Sequence, residues 1–197
     1  MPEAAGIMET IGDEAMKTDL EEIKAITIGH FGSLSLDHAD LPAIYASIPA
    51  PMKMTWFKLC CDCMDLEDYS LYLKKSWLDE EDPNQDANVS REEIVAYFRK
   101  ATKLMNAAEQ AYFDALPDKI TIYRGVSPHR AVYGLSWTPD HEIAMRYKRR
   151  YETGEVQGEM LTATIDKKHA LCYIDELQER ELVVDVFRIR NQIETMS

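Results

Sequence analysis

The stretch ITIYRGVSPHR, residues 120–130, decides the fold reading, because here an extended pattern replaces a helical one. Successive side chains on a strand alternate between faces, so Ile120, Ile122 and Arg124 fall on one side. A cation then follows two apolar side chains toward a sheet interior, where it needs a partner. Toward the C-terminus, KITIYRG, YGLSWT, EMLTATI, HALCYI and ELVVDVFRI are short β-branched or aromatic runs broken by Gly, Pro and Asp. Between the second and third of them, PDHEIAMRYKRRY reads as a helix with Pro139 in its first turn. A mainly antiparallel β core is therefore expected over 116–197.

Toward the N-terminus the pattern is helical. Thr18 and Glu21 have capping-box spacing, which predicts a helix from about residue 19. LPAIYASIP reads as a short helical turn, PMKMTWFKLCCDCM as a largely buried helix, and DLEDYSLYLKKSWL as a further helix. The acidic segment DEEDPNQDANV, residues 79–89, lacks an apolar period and reads as a solvated loop. Ser90 and Glu93 make a second capping box, and Ile94, Phe98, Ala101, Met105, Ala108, Tyr112 and Ala115 recur at helical spacing. One helix over 91–115, ending before Pro117, is expected. The fold class is α+β, a single domain over 1–197 with a helical part over 1–115 ahead of the β core.

The composition fits a folded chain: 46% hydrophobic and 29% charged residues lie outside the disordered range. The net charge of −13 is concentrated before residue 116, which holds 22 of the 35 acidic residues but 10 of the 22 basic ones. Such a surface repels phosphate backbones and anionic lipids, which argues against nucleic-acid and membrane partners. No apolar run reaches the roughly 20 residues of a membrane helix, and no segment resembles a signal peptide. Reduced thiols in a cytoplasm are expected.

Cys60 and Cys63 in CCDC have metal-knuckle spacing, but a zinc site would have to recruit Cys172 and His169 from the sheet. Buried helical thiols are the expectation. The five histidines show no ligand spacing. The cations of RYKRR, residues 146–150, complement the negative end of their helix, or else meet a phosphate or an acidic partner.

Residue pairs separated by one position carry the chemistry. Ser136 and Thr138 in LSWT share a strand face, as do Glu179 and Glu181 in QERELVVD, with Leu182, Val184 and Val186 on the opposite face. Two adjacent carboxylates repel one another, so such a pair is either solvated or used. An arginine ending one strand, hydroxyls on the next and a Glu-x-Glu opening a later one resemble the Arg-Ser-Glu clade of mono-ADP-ribosyltransferases. The order YRG, SWT, ERE is that of the clade, with SWT in place of the commoner Ser-Thr-Ser. The helical region ahead of them is similar to the bacterial arginine-modifying toxins and phage transferases of that family.

The resemblance implies NAD as substrate and a protein side chain, arginine first, as acceptor. Arg124 would offer a bidentate fork to phosphate, and Gly125 would let the backbone approach the nicotinamide carboxamide. Glu181 would bond a ribose hydroxyl and stabilise positive charge as the glycosidic bond opens. Glu179 would serve the incoming nucleophile, because a guanidinium must lose a proton as it attacks. Ser136 would hold Glu181 and the ribose, Thr138 would support the strand, and Tyr147 would stack on nicotinamide. The family further implies a toxin, phage or defence effector, with a target protein as partner and in many cases a cognate inhibitor. An NAD glycohydrolase with water as acceptor, and a non-catalytic acidic binding module that keeps the fold, are the competing readings.

Overall fold

The computed structural model describes residues 38–196, so the helix expected from residue 19 lies outside the described residues. The chain forms two compact units that divide between Val89 and Ser90. The helices at 91–100 and 107–115 therefore belong with the strands, and the division falls earlier than the change of pattern at residue 116.

In the first unit, α1 (Leu41–Ser47), α2 (Lys53–Cys60) and α3 (Leu66–Asp79) follow the apolar spacing of the sequence. Asp65 starts α3 by accepting the amides of Glu67 and Asp68, both at 2.8 Å. Tyr45, Trp56 and Tyr72 pack their rings pairwise at 5.3 to 5.5 Å in tilted or edge-on contact. Cys60 and Cys61 are buried and Cys63 is exposed, and no cluster of three or more metal-ligating side chains occurs among the described residues.

The acidic loop after α3 corrects the solvated reading. Helix α2 has no capping side chain of its own, so its first amides need acceptors from elsewhere. Glu80, buried, accepts from the Met54 amide at 2.8 Å, and Asp86 accepts from the Thr55 amide at 3.2 Å and the Thr55 hydroxyl at 2.9 Å. The loop thus caps a helix across space with side-chain acceptors.

Burial pushes the Glu80 carboxyl up to about 8, against the Met54 hydrogen bond, with the nearby Asp86 adding to the rise. Neutral Glu80 is thus favoured by folding. Its stabilisation is complete below the ordinary carboxylate value of 4.5 and is lost as pH rises through about 8. Thermal melts across this window should show stability falling by at most about 1.4 kcal/mol per pH unit from this group. Glu80→Gln, which keeps an acceptor for Met54 and a donor for Asp86, should flatten that slope. An unchanged slope would place the titration elsewhere.

The second unit opens with two helices where one was expected: α4 (Arg91–Lys100) and α5 (Ala107–Ala115). The break has a local cause. Asn106 accepts from the Ala108 and Glu109 amides while Glu109 accepts from the Asn106 amide, a capping box that starts a new helix. The Ser90–Glu93 box starts α4 as the spacing predicts.

Six strands follow: β1 (Lys119–Val126), β2 (Ser136–Trp137), β3 (Glu159–Asp166), β4 (Ala170–Ile174), β5 (Glu181–Val184) and β6 (Glu194–Met196). They form two antiparallel three-stranded sheets, ordered β1-β3-β6 and β2-β5-β4, an α+β arrangement. An isolated bridge between Tyr123 and Thr138 joins the sheets, its two amides donating at 2.8 and 2.9 Å. Helix α6 (His141–Arg149) connects β2 to β3 and packs on β1. The strand expected to continue through Val186 stops at Val184, because Val186–Ile189 turn into a short helix, α7. Buried Asp185 at that junction pairs with Arg99 of α4. No helix among the described residues is long and apolar enough to cross a membrane.

Candidate active site

Strand β1 places Arg124 on the side of Ile120, Ile122 and Val126, as the alternation predicts. Its guanidinium ends among main-chain oxygens. Nε donates to the Val132 carbonyl at 3.2 Å, Nη1 to that of Ser136 at 2.8 Å and Nη2 to that of Ala131 at 2.8 Å. Gly134 lies so close that a Cβ there would sit 2.3 Å from Nη2. Arg124 is thus the internal brace of the loop leading into β2, and all three of its nitrogens are engaged by main chain.

Gly125 also has a role in packing. A Cβ on it would lie 1.8 Å from the Ala144 carbonyl oxygen and 2.5 Å from the Lys148 nitrogen. The backbone that approaches this glycine closely on its Cα side is that of α6, which needs a residue without a Cβ here.

Ser136 and Trp137 pair with Val183 and Leu182. Carried one residue further, the same register sets Thr138 level with Glu181, so Ser136, Thr138, Val183 and Glu181 share a face. The Thr138 hydroxyl accepts from the Asp140 amide at 3.2 Å, and Asp140 in turn accepts the Glu142 and Ile143 amides as the cap of α6. The supporting role read for Thr138 thus takes a specific form: it steadies the start of α6. The indole of Trp137, at the centre of the motif, is buried and donates to the Gly134 carbonyl at 3.0 Å, away from the Ser136 face.

Helix α6 carries Tyr147 toward the two glutamates. The helix is fixed at this point by Ser127, whose hydroxyl donates to the Tyr147 carbonyl at 2.8 Å. The Tyr147 phenol donates to Glu179 Oε1. Burial, first, and then the charges of Glu179 and Glu181 hold that phenol well above the ordinary tyrosine range, so it stays protonated. Glu181 is 7% exposed and pairs with Ile174 at the head of β5.

Glu179 departs from the strand reading. Strand β5 begins at Glu181, and Gln178 and Arg180 adopt left-handed φ of 57° and 49° on either side of Glu179. Glu179 therefore reaches Tyr147 from a bent loop rather than by alternation along a strand with Glu181.

Of the residues read from sequence, the fold bonds Tyr147 to Glu179, two residues before Glu181, sets Ser136 and Thr138 on the Glu181 face, holds Arg124 on main-chain oxygens and packs Gly125 against α6. One cation beside Tyr147, Arg150, was read from sequence only as part of RYKRR, and a further one, Arg130, shares a ring contact with it at Tyr151. The Arg150 charge opposes the rise of the Tyr147 phenol, and Arg150 and Arg130 each lie over the ring of Tyr151, 5.3 and 5.5 Å from its centroid. The RYKRR segment hinted at Arg150, but Arg130 belongs to a loop with no periodicity. No family model matches the chain, and neither the curated proteins nor the solved structures compared with it give a match.

Proposed function

We propose that the protein is a mono-ADP-ribosyltransferase that cleaves NAD and passes ADP-ribose to a guanidinium on another protein. The observation that carries this reading is the hydrogen bond from the half-buried Tyr147 phenol to Glu179, two residues before buried Glu181 at the head of β5. Two antiparallel sheets joined at the hydroxyl strand support the corresponding transferase-like core.

In this reading Glu181, rigid in its ladder, stabilises the positive charge that grows on the ribose as the bond to nicotinamide breaks. Nicotinamide leaves with the bonding electron pair. Glu179, on its loop, takes the proton released when the guanidine nitrogen bonds to the ribose carbon. Tyr147 keeps Glu179 near Glu181 until an acceptor competes for its oxygen. Arg130 and Arg150 supply further cations for the pyrophosphate, since Arg124 gives one donor from each of its three nitrogens to main chain.

The test is incubation of the purified chain with NAD labelled in its adenylate half, with and without a cell lysate. Nicotinamide release that grows with lysate, with label entering protein, supports transfer. Release without labelling assigns a glycohydrolase, and NAD binding without release a non-catalytic binding module.

A further inference from the structure

We infer that Arg180, the residue between the two glutamates, is a positioning residue that clasps the loop carrying Glu179 to the helix carrying Tyr147. The kinetic consequence rests on the transferase reading above; the clasp itself rests on geometry alone.

The loop over 175–180 joins β4 to β5 and turns through two left-handed side-chain residues, Gln178 and Arg180. Side chains disfavour this conformation, so surrounding contacts must hold it. At its base the Asp175 amide donates to buried Glu109 at 2.9 Å, and Asp175 accepts the Arg180 amide at 2.9 Å. The Arg180 guanidinium then reaches two elements at once. Nη1 donates to Asp140 Oδ2 at 3.1 Å and Nη2 to the Tyr112 hydroxyl at 2.8 Å. Tyr112, on α5, stacks on Tyr173 of β4 with ring centroids 4.2 Å apart.

Asp140 is the cap of α6, its other oxygen taking the Glu142 and Ile143 amides. About 10 Å further along the same helix stands Tyr147, bonded to Glu179. Loop and helix are thus fastened at two points: Arg180 on Asp140, and Glu179 on Tyr147. A planar fork with donors pointing two ways is required to hold Asp140 and Tyr112 together, which a lysine does not supply.

Releasing the clasp frees Glu179 but leaves Glu181 in its ladder with Ile174. The loss therefore falls on the acceptor step, where a guanidine must be deprotonated, more than on opening of the glycosidic bond.

The experiment compares the full chain with Arg180→Ala, Arg180→Lys and Asp140→Asn, the last of which keeps a cap on α6. With agmatine as a small guanidine acceptor, Arg180→Ala should lower ADP-ribosyl transfer about 30-fold, while nicotinamide release into water falls less than about threefold. Arg180→Lys should not rescue transfer, and Asp140→Asn should reproduce the loss in part. Equal falls in transfer and hydrolysis, or no fall in either, would overturn the proposal. Amide hydrogen exchange supplies a reading independent of activity: peptides covering 175–181 should exchange about tenfold faster in Arg180→Ala, with those of β1 unchanged. Unchanged exchange there rules out the clasp. A wild-type chain that never cleaves NAD refutes the transferase reading, and the exchange result still decides the clasp. If Arg180→Ala loses its cooperative melt, Asp140→Asn carries both measurements.

Discussion

Glu181→Gln is expected to lower nicotinamide release from NAD by about 10³-fold, a loss of the size seen when a single preorganised group facing transition-state charge is removed. The amide matches the carboxylate in shape, and Glu181 sits in a regular ladder opposite Ile174, so the melting temperature should change little. On the proposed mechanism, the substitution removes the negative charge beside the ribose as the glycosidic bond opens. The same variant should also let the Tyr147 phenol ionise more readily, because the Glu181 charge is one of the causes holding it protonated. Spectrophotometric titration of tyrosine would show this without any NAD. Full nicotinamide release by Glu181→Gln, with wild type active, would remove Glu181 from the mechanism.

Gly125→Ala is expected to cost about 3 kcal/mol, at the upper end of overpacking penalties, and to lower the melting temperature by roughly 15 °C if the unit melts as one. The added methyl would lie 1.8 Å from the Ala144 carbonyl oxygen, and its neighbours are main-chain atoms of α6 that no rotamer change moves aside. The helix must lift from β1. Because α6 carries Tyr147, lifting it also draws the phenol away from Glu179, so residual activity should fall further than the folded fraction alone predicts. Differential scanning calorimetry together with activity per folded molecule separates the two effects. A melting temperature near wild type would mean that α6 slides on β1 more freely than the packing implies.

Much of this protein was legible in its sequence where the signal is local. Short β-branched and aromatic runs between breakers placed β1 to β5, the Ser90–Glu93 box placed α4, and alternation set Arg124 on the inward side of β1. The split of α4 from α5 was written in the sequence as well: Asn106 and Glu109 have capping-box spacing, but an apolar period running across Ala101 and Met105 masked it. The Glu-x-Glu pair was recognised by type and misread in geometry. Period-two reasoning assumes an extended backbone, and the left-handed Gln178 and Arg180 break it.

Other features depend on which distant groups lack partners. The acidity of 79–89 was plain in the sequence, but that Glu80 and Asp86 serve α2 could not be read from it, because an uncapped helix start shows itself only when the chain has folded. Arg124 was read as turned inward, and the fold supplies it with the carbonyls of Ala131, Val132 and Ser136, partners that no local pattern announced. The sequence alone determined the α+β class, most strands, and which residue types stand beside the candidate site, since these follow from periodicity and short-range capping. Only the tertiary structure decided which side chains meet, and in particular that Arg180 faces Asp140 and Tyr112 while Glu179 faces Tyr147. Beyond a capping box, hydrogen-bond satisfaction is a property of the packed chain, and no local pattern encodes which distant donor will find which acceptor.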